Sequence, residues 1–313
     1  MQVRLLAALL LLTVCCYGEG TPWRCSLSRA AFSLEAGSNV LYWRAGGDGI
    51  QYCVIDNSPD LSFSRYVLPR SRFGYDVWGR AHLFSPCFAI AGRYVSFNSH
   101  GSEAVQAPSL VRAFDPTPAT ATAASAQLRQ KYRSADAEAH WSLASSCVLS
   151  GALFGGVRYF DLAQHENYAY VSGMTTTLGD QSTRYQGWGP RLGLHFSFSP
   201  CKLRCVTLAL NGHFAATAAI GTRKLATSAS FAPPGPIAYP NRRVLEPACD
   251  WRLELKGSLC GRGVTVTGRI GYELNSYFGG LSRIDATNDL AVLTPVEKTG
   301  SFGGPYGGIS IGY

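Results

Sequence analysis

The stretch Cys249–Leu274, CDWRLELKGSLCGRGVTVTGRIGYEL, changes chemistry at every residue. Trp251, Leu253, Leu255, Gly257 and Leu259 fall on one side, and Asp250, Arg252, Glu254, Lys256 and Ser258 on the other. A period of two is that of a β-strand, whose successive side chains leave on opposite faces. A helix would put Asp250, Glu254 and Ser258 on one stripe among apolar neighbours, and no clean apolar face results. After the turn Cys260-Gly261-Arg262-Gly263 the pattern resumes. Val264, Val266, Gly268, Ile270, Tyr272 and Leu274 alternate with Thr265, Thr267, Arg269, Gly271, Glu273 and Asn275. This predicts a hairpin with one apolar and one charged face.

Similar pairs lie upstream. Phe73–Phe84 sets Asp76, Trp78, Arg80 and His82 against Phe73, Tyr75, Val77 and Leu83, then turns at Ser85-Pro86-Cys87. Trp188–Phe198 sets Arg191, His195 and Ser197 against Leu192, Leu194, Phe196 and Phe198. It turns at Ser199-Pro200-Cys201 into Val206, Leu208, Leu210 and Phe214, opposite Thr207, Asn211 and His213. Ala135–Leu143 and Leu153–Tyr159 form a weaker pair around Cys147. An opening strand is expected from about Phe32 to Trp43 and a closing one from about Gly304 to Tyr313.

Composition agrees with strands. The 313 residues carry a net charge of +8, with 46% hydrophobic and only 15% charged side chains, which excludes a disordered chain. The 34 Gly, 16 Tyr and 15 Phe against 2 Met suit turns and strands better than helices. Past the N-terminus no apolar run approaches the ~18 residues of a membrane-spanning helix, so a membrane would be crossed by strands. Residues 1–20 have the layout of a cleaved secretory signal peptide: Arg4, an apolar run from Leu5 to about Cys16, then Gly18 and Gly20. A lipoprotein would acylate Cys15 or Cys16, but Val14 stands before Cys15 where a small residue is expected. Export argues against nucleic acid as the partner of the basic charge.

The expected strands are about ten residues long, the length of a tilted transmembrane strand. Short turns fall at 85–87, 145–151, 199–202 and 260–263, and long polar links at 45–71, 98–133, 164–184, 221–245 and 279–302. Outer-membrane barrels alternate short periplasmic turns with long extracellular loops. Residues 21–313 therefore read as a single all-β transmembrane antiparallel up-and-down β-barrel of about ten strands, with both termini periplasmic. Twelve strands is the nearest alternative. The segment 113–126, rich in Ala, Thr and Pro, reads as a mobile external loop. A soluble β-sandwich would also alternate, but its water-facing sides usually carry many more charges. Here Trp, Tyr and Phe sit near strand ends, as aromatic girdles do.

The blocks FSLEAGSNVLYWRAGGDGIQYCV, GWGPRLGL and DWRLELKG…VTVTGRIGYELNSYF, in this order, resemble the Legionella-type major outer membrane protein family of pore-forming barrels, with members also in relatives of the chlamydiae. The likeness runs from about Phe32 to Tyr313. The end, Ile309-Ser310-Ile311-Gly312-Tyr313, resembles the C-terminal assembly signal of outer-membrane proteins, with Tyr in place of the usual Phe. The resemblance implies a porin in outer-membrane lipid, passing small hydrophilic solutes by passive diffusion, with no catalytic residues and no cofactor.

Other motifs weigh little. Gly308-Ile309-Ser310-Ile311-Gly312 matches a hydrolase nucleophile pattern, but its acid and histidine would have to follow, and one residue remains. His165-Glu166 lacks the second histidine of a metalloprotease helix. Neither a phosphate-binding loop nor a C-x-x-C pair occurs. Ten-stranded barrels resembling this one include outer-membrane proteases with Asp and His at the external rim. Here His100 and His165, with Glu103 and Glu166 nearby in sequence, are the external candidates, whereas His82, His140, His195 and His213 are expected in the lumen.

The expected pore-lining set is Asp76, Arg80, Asp136, Glu138, His140, Arg158, Arg191, Asp250, Arg252, Glu254, Lys256, Arg269 and Glu273. These residues could equally pair with one another and plug the barrel: about eight strands are filled by side chains, and ~16 leave a channel. A structural or surface-contact barrel without transport is therefore the second reading, and the rim protease the third. If water passes, the basic excess predicts a mild anion preference. Arginines of the external links could instead bind anionic lipid headgroups. Removal of the leader leaves Cys25, Cys53, Cys87, Cys147, Cys201, Cys205, Cys249 and Cys260 as disulfide candidates. Eight cysteines allow about 105 complete pairings, so their connectivity is open. Cys25, Cys87, Cys147, Cys201, Cys205 and Cys260 gather near the expected periplasmic turns, Cys201 and Cys205 could bridge locally, and Cys53 and Cys249 could pair on the outside. The rim cysteines suggest links to other copies or other envelope proteins, and cross-linked envelopes are what the resemblance implies.

Overall fold

The computed structural model describes residues 32–313 apart from 47–49, 59–60, 84–86, 113–119, 146–147, 204–205, 230–234, 239, 262 and 287–292. The expected leader at 1–20 and Cys25 lie outside these residues. Among the described residues there are thirteen strands: β1 Ser33–Gly46, β2 Ile50–Ser58, β3 Leu61–Val67, β4 Arg72–His82, β5 Phe88–Arg112, β6 Thr120–Ser145, β7 Leu149–Ser172, β8 Thr175–Leu203, β9 Val206–Ala229, β10 Gly235–Ala238, β11 Arg242–Gly261, β12 Val264–Ala286 and β13 Leu293–Gly312.

Ten of them close into a barrel. β1, β4, β5, β6, β7, β8, β9, β11, β12 and β13 pair with their neighbours in turn, all antiparallel, and β13 returns to β1. The seam is tight: Leu34 and Tyr313 exchange backbone hydrogen bonds of 2.9 and 2.8 Å. The start of β1, the end of β13 and the strand ends that flank the short β4–β5, β6–β7, β8–β9 and β11–β12 connections share one rim. The expected hairpin is present, with Cys260 paired to Thr265 and Gly261 to Val264. Gly263 closes its turn at φ 80°, a left-handed conformation that costs glycine little.

The strands run well past the expected ten residues. Most of 98–133 is β5 and β6, most of 164–184 is β7 and β8, and 221–245 and 279–302 hold the ends of β9, β11, β12 and β13. At 45–71 a hairpin of β2 and β3 docks on β5 through Cys53–Ile55 paired with Leu110–Arg112. The expected mobile loop at 113–126 is strand from Thr120 onward. The reason is that alternation continues while the outward residue changes from apolar to polar. On β6, Leu143, Trp141, Ala139, Ala137 and Ala135 give way to Arg133, Lys131 and Arg129; on β8, Leu194, Leu192 and Trp188 give way to Gln186 and Arg184. A strand polar outside and small or polar inside reads as a loop in sequence. The apolar belt of β6 is roughly nine residues deep, the span a tilted strand needs across hydrocarbon.

Two buried clusters fill the interior. One lies within the barrel; the other, of Tyr52, Cys53, Ile55, Val67, Leu110, Leu128, Tyr168 and Tyr170 with small residues, packs the β2–β3 hairpin onto the strand extensions far from the short turns. Tyr170 donates to the carbonyl of Tyr52 at 2.7 Å. Burial in this cap pushes the Cys53 thiol up to about 11 and the Tyr52 phenol up to about 12. The thiol's contribution to cap stability is thus complete below pH 9, its ordinary value, and is lost as pH rises through about 11. At pH 8 a maleimide is expected to label exposed Cys260 quickly and Cys53 only slowly, with Cys53 labelling accelerating above pH 9; mass-spectrometric mapping reads both. Equal rates at pH 8 would contradict the buried cap.

Candidate functional site

The candidate site is the barrel interior. All thirteen side chains expected to line a pore point inward, although facing the lumen is not conducting. Alternation puts them there, and the closed barrel brings residues far apart in sequence within reach. Arg158 of β7 chelates Asp136 of β6 at 2.6 and 2.7 Å and reaches Asp250 of β11 at 2.7 Å. Arg191 of β8 donates to both oxygens of Asp250 at 2.5 and 2.8 Å and to Glu138 at 2.6 Å. Arg93 of β5 spans the lumen, donating to Asp76 of β4 at 2.8 Å and to both oxygens of Glu273 of β12 at 2.8 and 2.7 Å. Arg252 stands 3.4 Å from the same Glu273. Buried carboxylates and guanidinium groups are tolerable where each charge meets its opposite, as these do, although Asp76 Oδ1 and Arg252 Nε have no hydrogen-bond partner among the described residues.

Toward the short-turn rim the network opens into a cavity of about 500 Å³. Here Glu35 of β1 accepts from Arg269 at 3.3 Å and lies 3.5 Å from Lys256. Glu254 accepts from Asn211 and Tyr306, both at 2.8 Å. Arg80 meets His140 at 2.8 Å, and Arg269 lies 4.2 Å over the Trp78 ring. His195 and His213 line the same cavity, as expected of lumen histidines.

On the other side of the network the lumen is shut by rings. Trp43, Phe97, Tyr132, Phe160, Tyr185, Tyr277 and Phe302, from β1, β5, β6, β7, β8, β12 and β13, are at most 1% exposed. Tyr132 and Phe302 stack at 5.0 Å, Phe160 and Tyr277 meet at 4.8 Å, and the Tyr277 hydroxyl donates to that of Tyr132 at 2.5 Å. The inward rings are a different set from the expected outer girdle: Tyr42, Phe73, Tyr75, Tyr159 and Trp188 face outward and are exposed as expected, while Trp43 and Phe160, next to Tyr42 and Tyr159, turn inward. Tyr132 and Phe302 were hidden in segments that read as loops. Arg93 and Glu35 were also missed; the alternation of 88–97, Phe88-Ala-Ile-Ala-Gly-Arg-Tyr-Val-Ser-Phe, was the available signal.

Of the external candidates, His100 and His165 flank Arg129 on the outward face, and Glu166 leaves that face. Alternation turns Glu166 inward and buries it, while His165 faces out beside Asp180 at 3.1 Å, and His100 meets Arg72 at 2.5 Å. Among the described residues no three His, Cys, Asp or Glu side chains gather to hold a metal. Of the cysteines, Cys53, Cys249 and Cys260 are free thiols and Cys87 is disulfide-bonded. The expected external Cys53–Cys249 pairing is thus absent: Cys53 is sealed in the cap, whereas Cys249 sits in the wall of β11. Cys147 and Cys205 lie outside the described residues, and Cys201 is near the end of β8.

Removing one member of the network leaves a buried charge unpaired. Asp250→Ala strips a partner from both Arg158 and Arg191 and is expected to cost about 3–5 kcal/mol of unfolding free energy. Urea unfolding in micelles, followed by tryptophan fluorescence, measures it. A loss below about 1 kcal/mol, the size of an exposed pair, would show the network to be weakly coupled.

Among curated proteins none matches the chain. The outer membrane protease OmpT of Escherichia coli has a similar structure, with TM-score 0.50 at 11% identity over 92% of this chain and 99% of that one. Weaker likenesses include the Pseudomonas putida toluene transporter TodX, at TM-score 0.30 and 9% identity over 91% of this chain and 90% of that one. A Pseudomonas aeruginosa FadL homologue gives TM-score 0.28 at 7% identity, covering 90% of each chain. At these identities the likeness to OmpT speaks for the fold alone. The family described as the Legionella pneumophila major outer membrane protein precursor matches residues 27–312, which takes in every strand of the barrel. With ten closed strands, an apolar belt and that match, the chain belongs to the Legionella major outer membrane protein family.

Proposed function

We propose that this protein is a narrow pore of the bacterial outer membrane for small hydrophilic solutes, shut in the conformation described by an aromatic layer and by the β2–β3 cap beyond it. The short-turn rim and both chain ends face the periplasm, and the long hairpins with their β2–β3 cap face outward. The observation that carries this reading is the chemistry of the lumen. A barrel that only had to be filled would gain from apolar side chains, since replacing buried ion pairs by packed hydrophobic residues is often neutral or stabilising. Here ion pairs occupy the middle of the barrel, and a polar cavity of about 500 Å³ lies below them. A charged, hydrogen-bonding wall suits water and polar solutes. Cations outnumber acids around the cavity, with Arg80, Arg93, Arg191, Arg252, Lys256 and Arg269 against Glu35, Asp136, Glu138 and Glu254, which favours anions.

A second reading is favoured by the aromatic layer itself: a plugged structural or surface-contact barrel without transport. The two separate in a planar bilayer. Under the pore reading, the refolded mature chain gives rare small steps, and Tyr277→Ala with Phe302→Ala raises conductance several-fold. Silence from both proteins, each shown to be inserted and folded by heat-modifiable gel mobility, would leave the structural barrel. Neither reading requires a nucleophile or a cofactor.

We also propose that rim thiols link the barrel to other copies or to other envelope proteins. Cys260 supports this: it is exposed and free at the short-turn rim, where a partner thiol can reach it. Intact envelopes on non-reducing gels should show high-mass bands that diminish in Cys260→Ser, and an unchanged ladder would remove Cys260 from the linkage.

A further inference from the structure

One face of the outer wall carries three cationic side chains that form no ion pair with an acid among the described residues. The outward face of β6 is apolar from Leu143 to Ala135 and then presents Arg133, Lys131 and Arg129 on successive outward positions, all exposed. Register places Asn98 beside Lys131, and both His100 of β5 and His165 of β7 beside Arg129. A groove of about 710 Å³ runs along this surface. The nearby acids are engaged elsewhere: Asp161, opposite Arg133, pairs with Arg184 at 2.7 Å, and Asp180 lies 3.1 Å from His165. The cations sit where the apolar belt meets water, at the depth of lipid phosphates.

Below them a shallow trough runs between outward side chains, Ile90 and Tyr94 on β5 and Val157 and Tyr159 on β7. Ala135, Ala137 and Ala139 face out on β6, and the outward-facing Gly92 of β5 and Gly155 of β7 pair with Ala137 and Ala139. A strip of small residues leaves room for a hydrocarbon chain to lie against the sheet, directly under guanidinium groups that can chelate a phosphate. The surface is open and shallow, so a free phosphate would find little enclosure, whereas an anchored one is already held at the correct depth.

We infer that this face of β5, β6 and β7 binds a phosphorylated glycolipid of the outer leaflet, with its phosphate on Arg129, Lys131 and Arg133 and an acyl chain along the alanine strip. The inference rests on the long hairpins facing outward, and it is independent of conduction. In detergent, binding does not depend on orientation, so the two can fail separately.

Native mass spectrometry of the refolded mature chain with bis-phosphorylated lipid A tests it. One bound lipid per barrel is expected, at least tenfold weaker in R129Q/K131Q/R133Q and retained in the charge-keeping R129K/R133K. Dephosphorylated lipid A and inorganic phosphate should bind at least tenfold more weakly than lipid A. A second variant, Ala137→Trp, fills the strip without touching a charge, and its bulky side chain faces lipid; it too should weaken binding at least tenfold. The inference is overturned if the triple variant, or Ala137→Trp where the triple variant fails to fold, binds lipid A as the parent does. Equal affinity for phosphatidylglycerol would overturn it as well, because the face would then be a general anionic-lipid contact.

Discussion

A charge taken into the interior of a barrel must find its opposite there, because the surrounding membrane offers none. Asp250 makes the constraint concrete: guanidinium groups from two adjacent strands, Arg158 and Arg191, converge on its two oxygens. Each arginine then needs a further acid, which β6 supplies as Asp136 and Glu138. Arg93 repeats the arrangement between Asp76 and Glu273. The ladder hydrogen bonds join neighbouring strands around the wall, whereas these pairs join strands through the middle. A barrel of ten strands is narrow enough for such contacts, and the pairing in turn narrows the free space in the lumen.

The aromatic layer depends on the same geometry. Successive inward positions on one strand lie two residues apart, so one step from Asp250 reaches Ala248, and two steps from Glu273, past Asn275, reach Tyr277, both in the ring cluster. Alanines at 219 and 248 face bulky rings of the same cluster, and small opposite large is how a tapering lumen is filled without voids. The result is an interior in three zones: a polar cavity by the short turns, paired charges in the middle, and a dry layer of rings beyond. Outside, the wall has zones too, an apolar belt followed by a basic, polar surface, and the two zonings share one strand periodicity.

Much of this was legible in the amino-acid sequence, for a physical reason. Period-two alternation is local, so the inward position of Arg191 or Glu254 can be read from its immediate neighbours. Ten-strand closure followed from counting alternating runs and short turns. The strand extensions were not legible, because Arg133, Lys131 and Arg129 on one face with Ser134, Tyr132 and Gln130 on the other look like a solvated link. Partnership was not legible either. That Arg93 meets Glu273 depends on which strands lie across the lumen, 180 residues apart in the chain, and no local pattern encodes it. The rings of Tyr132 and Tyr277 were visible as residues, but their meeting was not, and it is this meeting that shuts the lumen.

The central claim is that charge pairs through the lumen hold the barrel as one unit, beyond what the wall supplies. A double-mutant cycle between Arg93 and Glu273 tests it most directly, because β5 and β12 share no ladder hydrogen bonds and any coupling must cross the interior. Unfolding free energies of Arg93→Met, Glu273→Gln and the double variant in micelles give the interaction term. The account predicts coupling on the order of 1–3 kcal/mol, the range for residues in one network. Additivity within about 0.5 kcal/mol would contradict it, leaving the wall alone to hold the barrel.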